Sequence, residues 1–226
     1  MTRSTRARPA KAPLSEEAVV AAALTILRSE GLEAVTMRRV ATALDTGPAS
    51  LYVYVSGRDA LLGAMLDRVV AGIELEPVDP ARWRDQLGTL LQRVREALAA
   101  HPGIAATTLA DPPPTEALLR LTENLLGLLL AAGVTAQEAA WAGDVLLMVV
   151  TASVIETDER RAHGRDDDGA HAAKLRETFV GLPADRFPLI AGHVAQLVAG
   201  DRDERFRFAV DVVIDGVVAR STSWSR

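Results

Sequence analysis

Thr36-Met-Arg-Arg-Val-Ala-Thr-Ala-Leu-Asp-Thr-Gly-Pro-Ala-Ser-Leu-Tyr-Val-Tyr-Val55 reads as two short helices joined by a tight turn. Thr36 is a capping residue type, and Val40, Ala41 and Leu44 give the first helix one inward face. Asp45-Thr46-Gly47 supplies the turn. Pro48 suits the first position of the next helix, where its missing N–H leaves no bond unmade. Leu51 and Val55, four apart, anchor that helix to a small core and leave an outer face shaped for a DNA groove.

Upstream, Leu14-Ser15-Glu16-Glu17 starts a helix: Ser15 caps it, two carboxylates sit in the positive first turn, and Leu14 staples against Val19. Val19, Ala22, Ala23, Ile26 and Leu27 continue one face to Gly31, a residue suited to ending a helix. Residues 1–13 carry Arg3, Arg6, Arg8 and Lys11 with Pro9 and Pro13 and no periodic apolar face, which predicts a flexible basic arm. Downstream, Ser56-Gly57-Arg58-Asp59 opens a fourth helix with the stripe Leu61, Leu62, Met65, Leu66, Val69, running to about residue 73.

Beyond Pro77 and Pro80 the pattern is helical throughout. Helices are expected over 81–100, 103–110, 115–132, 136–158, 186–199 and 203–221, with a mobile charged loop over 160–170. His163 and His171 flank Asp166-Asp167-Asp168 in that loop, but a mobile loop does not preorganise ligands and no metal site is expected there. His101, before Pro102, complements a helix C-terminus. Trp141–Ile155 and Phe206–Val218 are apolar around much of their circumference. Such helices are normally buried on two sides, either in the centre of a monomer or, as favoured here, in a four-helix bundle shared by two copies.

Composition narrows the function classes. With 226 residues and 49% apolar content the chain can bury a sizeable core. There is no uninterrupted apolar run of the roughly 18 residues that a membrane span needs, no apolar segment behind the N-terminal arginines, and no cysteine; the expectation is a cytoplasmic protein with no membrane partner. The net charge of −5 is unevenly spread: residues 1–63 carry eight basic and six acidic side chains, +2, and residues 64–226 carry −7. Attraction for phosphate therefore resides at one end. No Gly-rich phosphate loop, His-Glu-x-x-His or Gly-x-Ser-x-Gly pattern occurs, so no enzyme, catalytic residue, metal or cofactor is expected.

Ser15 to Val69, with Thr36-Met-Arg-Arg-Val-Ala41, Leu51-Tyr-Val-Tyr-Val55 and Arg58-Asp-Ala-Leu-Leu62, resembles the DNA-binding domain of TetR-family transcriptional regulators. Pro114-Thr-Glu116, Glu123-Asn124, Val154-Ile-Glu156, Phe206-Arg-Phe208 and Ile214-Asp-Gly216 are similar to the tetracycline-repressor type of C-terminal domain. The resemblance implies an all-α protein: an N-terminal three-helix helix-turn-helix domain over 14–75, then a larger helical ligand-binding and dimerisation domain over 76–226. It also implies a homodimer that binds a palindromic double-stranded DNA operator and is released by a small-molecule effector. A dimeric small-molecule-binding protein with weak or no DNA binding is the alternative.

By the same resemblance Arg38 contacts a guanine, Pro48, Ala49, Ser50, Tyr52, Val53 and Tyr54 lie along the recognition helix, and Arg58 holds phosphate. Thr36, Met37 and Arg39 complete the expected DNA-facing set. Arg38 offers donors matching guanine O6 and N7, and the apolar members suit thymine methyls; Tyr52 serves either phosphate or core. Asp45 stands where the family usually has glycine, and Asp tolerates left-handed backbone. In the effector domain, Gly103-Ile-Ala-Ala-Thr-Thr-Leu109 lacks the family's magnesium-binding histidine, and Leu125 replaces a glutamine. Magnesium–tetracycline is therefore not the expected ligand. The expected effector is apolar, uncharged or weakly polar, lined by Leu109, Leu125, Leu129, Trp141, Met148 and Glu156; Glu156, at a helix end, is either a ligand contact or a solvated carboxylate.

Overall fold

A computed structural model of the chain describes residues 13–110 and 115–224. Among them there are helices, turns and loops and no strand. The chain forms two compact units, residues 1–65 and 66–226. The basic arm and Pro112–Pro114 lie outside the described residues.

The first unit begins with α1 (Glu16–Glu30), capped by the Ser15 hydroxyl, which accepts from the Ala18 N–H at 3.2 Å. Its end at Gly31 has φ 86° and ψ 172°, backbone that side-chain-bearing residues avoid. A 3-10 turn (Leu32–Ala34) leads to α2 (Met37–Ala43), where Thr36 Oγ1 accepts from Arg39 N–H at 3.1 Å. Asp45 takes φ 51°, the left-handed turn that its residue type tolerates. Then comes α3 (Pro48–Leu51), with Pro48 at its first turn, and α4 (Arg58–Ala71). Val19, Ala23, Leu27, Val35, Val40, Leu51, Leu61 and Met65 form the unit's core.

The division between units falls within α4, between Met65 and Leu66. In the second unit, α5 (Trp83–Ala99), α6 (Glu116–Ala131) and α11 (Arg202–Trp224) pack on α7 (Ala136–Ala162), the longest helix and the hub of the unit. α7 carries a full capping box, Thr135 with Glu138. By length and composition alone it could cross a membrane; here one face, including Ala142, Leu146, Val150 and Val154, is buried by its neighbours. Buried Gln86 fixes the segment before α5, donating to Pro77 O at 2.9 Å and accepting from Asp79 N–H at 2.8 Å.

Two expectations change. The charged stretch 160–170 is not a mobile loop. α7 continues to Ala162, and α8 (Asp168–Val180) starts after a five-residue link, capped by Asp167. Arg202 at the start of α11 clamps the link, pairing with Asp166 at 2.8 Å and Asp168 at 3.0 Å. The acidic run thus serves as a helix start and a guanidinium clasp, and among the described residues no cluster fit to hold a metal occurs. The helix expected over 186–199 is two short pieces, α9 (Pro188–Gly192) and α10 (Val194–Leu197), broken at His193.

Candidate DNA interface and effector cavity

The turn at Asp45–Gly47 delivers α3 with only Leu51 buried, and Val55 is buried just beyond it. Pro48, Ala49, Ser50, Tyr52 and Val53 therefore face outward together; Val53 is 80% exposed and Tyr52 56%. A two-sided apolar pair on so short an element is solvent-facing surface that core packing does not explain. Tyr54 is half-buried and Tyr52 is not core. Arg38 is exposed at the start of α2, and its guanidinium has no hydrogen-bond or ion-pair partner among the described residues. Thr36 is exposed but its hydroxyl serves the helix start; Met37 is half-buried.

Two arginines expected on DNA are engaged within the unit. Arg39 makes a forked pair with Glu30, Nη2 to Oε1 at 2.6 Å and Nε to Oε2 at 3.0 Å. That hydrogen-bonded guanidinium holds the Glu30 carboxyl below its usual range. Arg58 is half-buried and donates from Nε to Val35 O at 3.0 Å and from Nη2 to Leu32 O at 3.3 Å. Arg58 thus braces the connection between α1 and α2, where the phosphate-holding role had been expected. Of the three arginines expected on DNA, Arg38 is the one whose guanidinium has no partner among the described residues.

The second unit contains a cavity of about 540 Å³ lined by Leu66, Val70, Val94, Leu98, Thr108, Leu118, Leu121, Asp144, Leu147, Met148, Val150 and Thr151. Its walls come from the end of α4, from α5, α6 and α7, and from the 3-10 helix Ile104–Ala110. Nine of the twelve are apolar, and the polar three are Thr108, Asp144 and Thr151, a composition typical of a site for a mostly apolar small molecule. Thr108 Oγ1 donates to Ala105 O at 2.7 Å and lies 3.2 Å from Thr151 Oγ1.

Of the six residues expected to line an effector site, Met148 lines this cavity. Leu125 and Leu129 are buried against Gly143 in the α6–α7 packing. Trp141 points outward and is 63% exposed. Glu156 is exposed and pairs with Arg160 at 3.8 Å, as a solvated carboxylate does. The Leu109 side chain lies outside the described residues. The missed lining had one sequence signal. Asp144, Met148 and Thr151, spaced i, i+4, i+7, form a polar-edged stripe in an otherwise apolar helix.

Residues 19–65 match the family model described as bacterial regulatory proteins, tetR family, and residues 76–221 match the tetracyclin repressor-like C-terminal domain. The chain belongs to the TetR family. The HTH-type transcriptional repressor DrrR1 of Streptomyces coeruleorubidus is 29% identical over 219 residues, 93% of this chain and 80% of that one. The tetracycline repressor protein class G of Vibrio anguillarum is 26% identical, covering 90% and 93% of the two chains. The solved structure of the Streptomyces coelicolor TetR family protein ActR in complex with actinorhodin superposes with a TM-score of 0.85 at 34% identity, over 93% of this chain and 98% of that one. This TetR-family protein is a ligand-responsive, DNA-binding transcriptional repressor; its relatives are regulators, not enzymes.

Proposed function

We propose that the protein acts in the cytoplasm as a homodimer on a palindromic operator and leaves it when a small molecule fills the 540 Å³ cavity. Exposure of Pro48–Ser50, Tyr52 and Val53 together with that of Arg38, unpaired among the described residues, carries the reading of the DNA surface. In it, Arg38 reads a guanine, the Pro48–Val53 surface meets thymine methyls and phosphates, and the recognition helices of two copies lie about 34–36 Å apart. Residues 14–75 carry the reader, with the end of α4 also lining the cavity, and 76–226 supply the rest of the effector and dimerisation part.

Dimerisation is supported by exposed apolar residues on the two helices whose sequences are apolar around much of their circumference. Trp141 and Val145 on α7 and Phe208 and Val212 on α11 are all exposed in the single chain, Phe208 to 71%. The family relative ActR has been solved in complex with actinorhodin, which supports a small-molecule effector here. Leu66 and Val70 of α4 line the cavity, and residues 58–65 of the same helix belong to the reader unit, so α4 is the element by which occupancy reaches the DNA surface. A ligand shifts the operator-bound state only through unequal affinity for the two states, with couplings of about 1–3 kcal/mol.

The test is a mobility-shift titration with the DNA upstream of the protein's own and adjacent genes. Saturable binding to an inverted repeat, weakening steeply with salt, is expected; binding no tighter than to unrelated duplex would sink the reading.

A further inference from the structure

The polar edge of the effector cavity offers acceptors and no side-chain donor. A hydroxyl has one proton. Thr108 gives its proton to Ala105 O at 2.7 Å, so the 3.2 Å contact with Thr151 is made by the Thr151 proton. Both side-chain donors are thereby used inside the protein, and what remains toward the cavity is oxygen lone pairs. The other polar group in the wall is the Asp144 carboxylate, one turn from Met148 and two from Thr151 on the same face of α7. Asp144 has no hydrogen bond or ion pair among the described residues, and no lysine, arginine or histidine lines the cavity. Several acidic side chains of this unit are paired, Asp203 with Arg95, Asp211 and Asp215 with Arg84, and Asp166 and Asp168 with Arg202, whereas Asp144, which lines the cavity, is not.

A wall whose polar side chains offer only acceptors selects against anions, whose charge would meet the unpaired, solvent-exposed Asp144 carboxylate at the cavity edge, and favours a ligand that brings its own donors. We infer that the effector is an amine-bearing amphiphile, a broad apolar body with a cationic amino group placed against Asp144, and that Asp144 is the residue that sets this charge preference. The inference rests on the cavity being the effector site, and it narrows the ligand from apolar in general to cationic at one end.

Three fluorescent probes of one shape separate the possibilities: anthracenylmethylamine, anthracenylmethanol and anthracenecarboxylate, titrated into the full chain and into Asp144→Asn and Leu118→Trp. In the wild type the amine should bind more tightly than the carboxylate by about tenfold or more, the scale of a charge-assisted hydrogen bond. Added salt should shrink that ratio, because Asp144 is exposed. Asp144→Asn should abolish the amine's advantage and leave the neutral alcohol unchanged. Leu118→Trp, which fills the cavity, should weaken all three.

A carboxylate that binds wild type as well as the amine overturns the inference, as does an amine preference that persists in Asp144→Asn. If the alcohol binds and is displaced by Leu118→Trp while no charge preference exists, charge selection fails and the cavity reading stands. Absence of binding by all three, or binding unaffected by Leu118→Trp, overturns both.

Discussion

Replacing Arg58 with alanine removes two charge-assisted hydrogen bonds that close the link between α1 and α2. Val35 is fully buried, and its carbonyl oxygen receives Arg58 Nε at 3.0 Å; Leu32 O receives Nη2 at 3.3 Å while also accepting from Val35 N–H. The first carbonyl loses a strong partner and the second keeps one. Since Arg58 is only half-buried, water replaces part of the loss, and the net cost is about 2 kcal/mol. In a unit of this size that corresponds to a melting temperature lower by roughly 8–16 °C. The assay pairs a thermal or urea melt of the reader unit with operator affinity measured across a salt series. A brace and a phosphate contact predict different pairs of results. If Arg58 braces, Arg58→Ala lowers stability and leaves the slope of log affinity against log salt unchanged. If it holds phosphate, stability is untouched and the slope falls by about 0.9 per site. A reduced slope with an unchanged melt would refute the assignment made from these two hydrogen bonds.

Arg38→Ala should cost about 1–3 kcal/mol of discrimination between operator and unrelated duplex, read as the ratio of the two affinities, with folding unaltered because Arg38 is exposed and has no partner among the described residues. Gly31→Ala should destabilise the reader by about 1–3 kcal/mol with no steric clash, since φ 86°, ψ 172° is accessible essentially to glycine alone; an unchanged denaturation midpoint would contradict this. Asp158 is half-buried and accepts the Gly103 N–H at 2.7 Å, and burial raises its pKa above the ordinary 3.8. The folded state therefore binds the proton more tightly than the unfolded state. Stability falls as pH rises from about 3.8 through the raised value and the penalty persists at neutral pH. Asp158→Asn, which keeps an acceptor, should remove that dependence and melt no lower than wild type at pH about 7. Phe208→Glu should convert the dimer to monomer in size-exclusion chromatography with light scattering, and an unchanged mass would argue against the α7–α11 face.

Local signals in the chain were sufficient for the starts of α1 and α2, the Asp45 turn and the position of Pro48, because caps, left-handed turns and the proline constraint act within a few residues. The same locality made the outward surface of α3 legible: with Leu51 and Val55 fixed inward, the residues between and before them have only one direction to face. Where a guanidinium ends up is not local. Arg39 and Arg58 look equivalent to Arg38 in sequence, yet Glu30 lies nine positions from Arg39 and Leu32 is 26 positions from Arg58, and only the folded unit brings them within hydrogen-bond reach.

The effector site shows the same division more sharply. The sequence by itself determined an all-helical TetR-family chain and the absence of the tetracycline-type histidine, since family pattern and residue type need no coordinates. It did not determine which apolar residues are core and which are cavity wall, because Leu125 and Leu121 occupy the same helix and carry the same signal. That distinction is a difference in packing: Leu125 meets Gly143 on the hub helix, while Leu121 faces space left between α4, α5 and α7. Tertiary structure alone decided it, because an unfilled volume is a property of how several helices meet and not of any one of them.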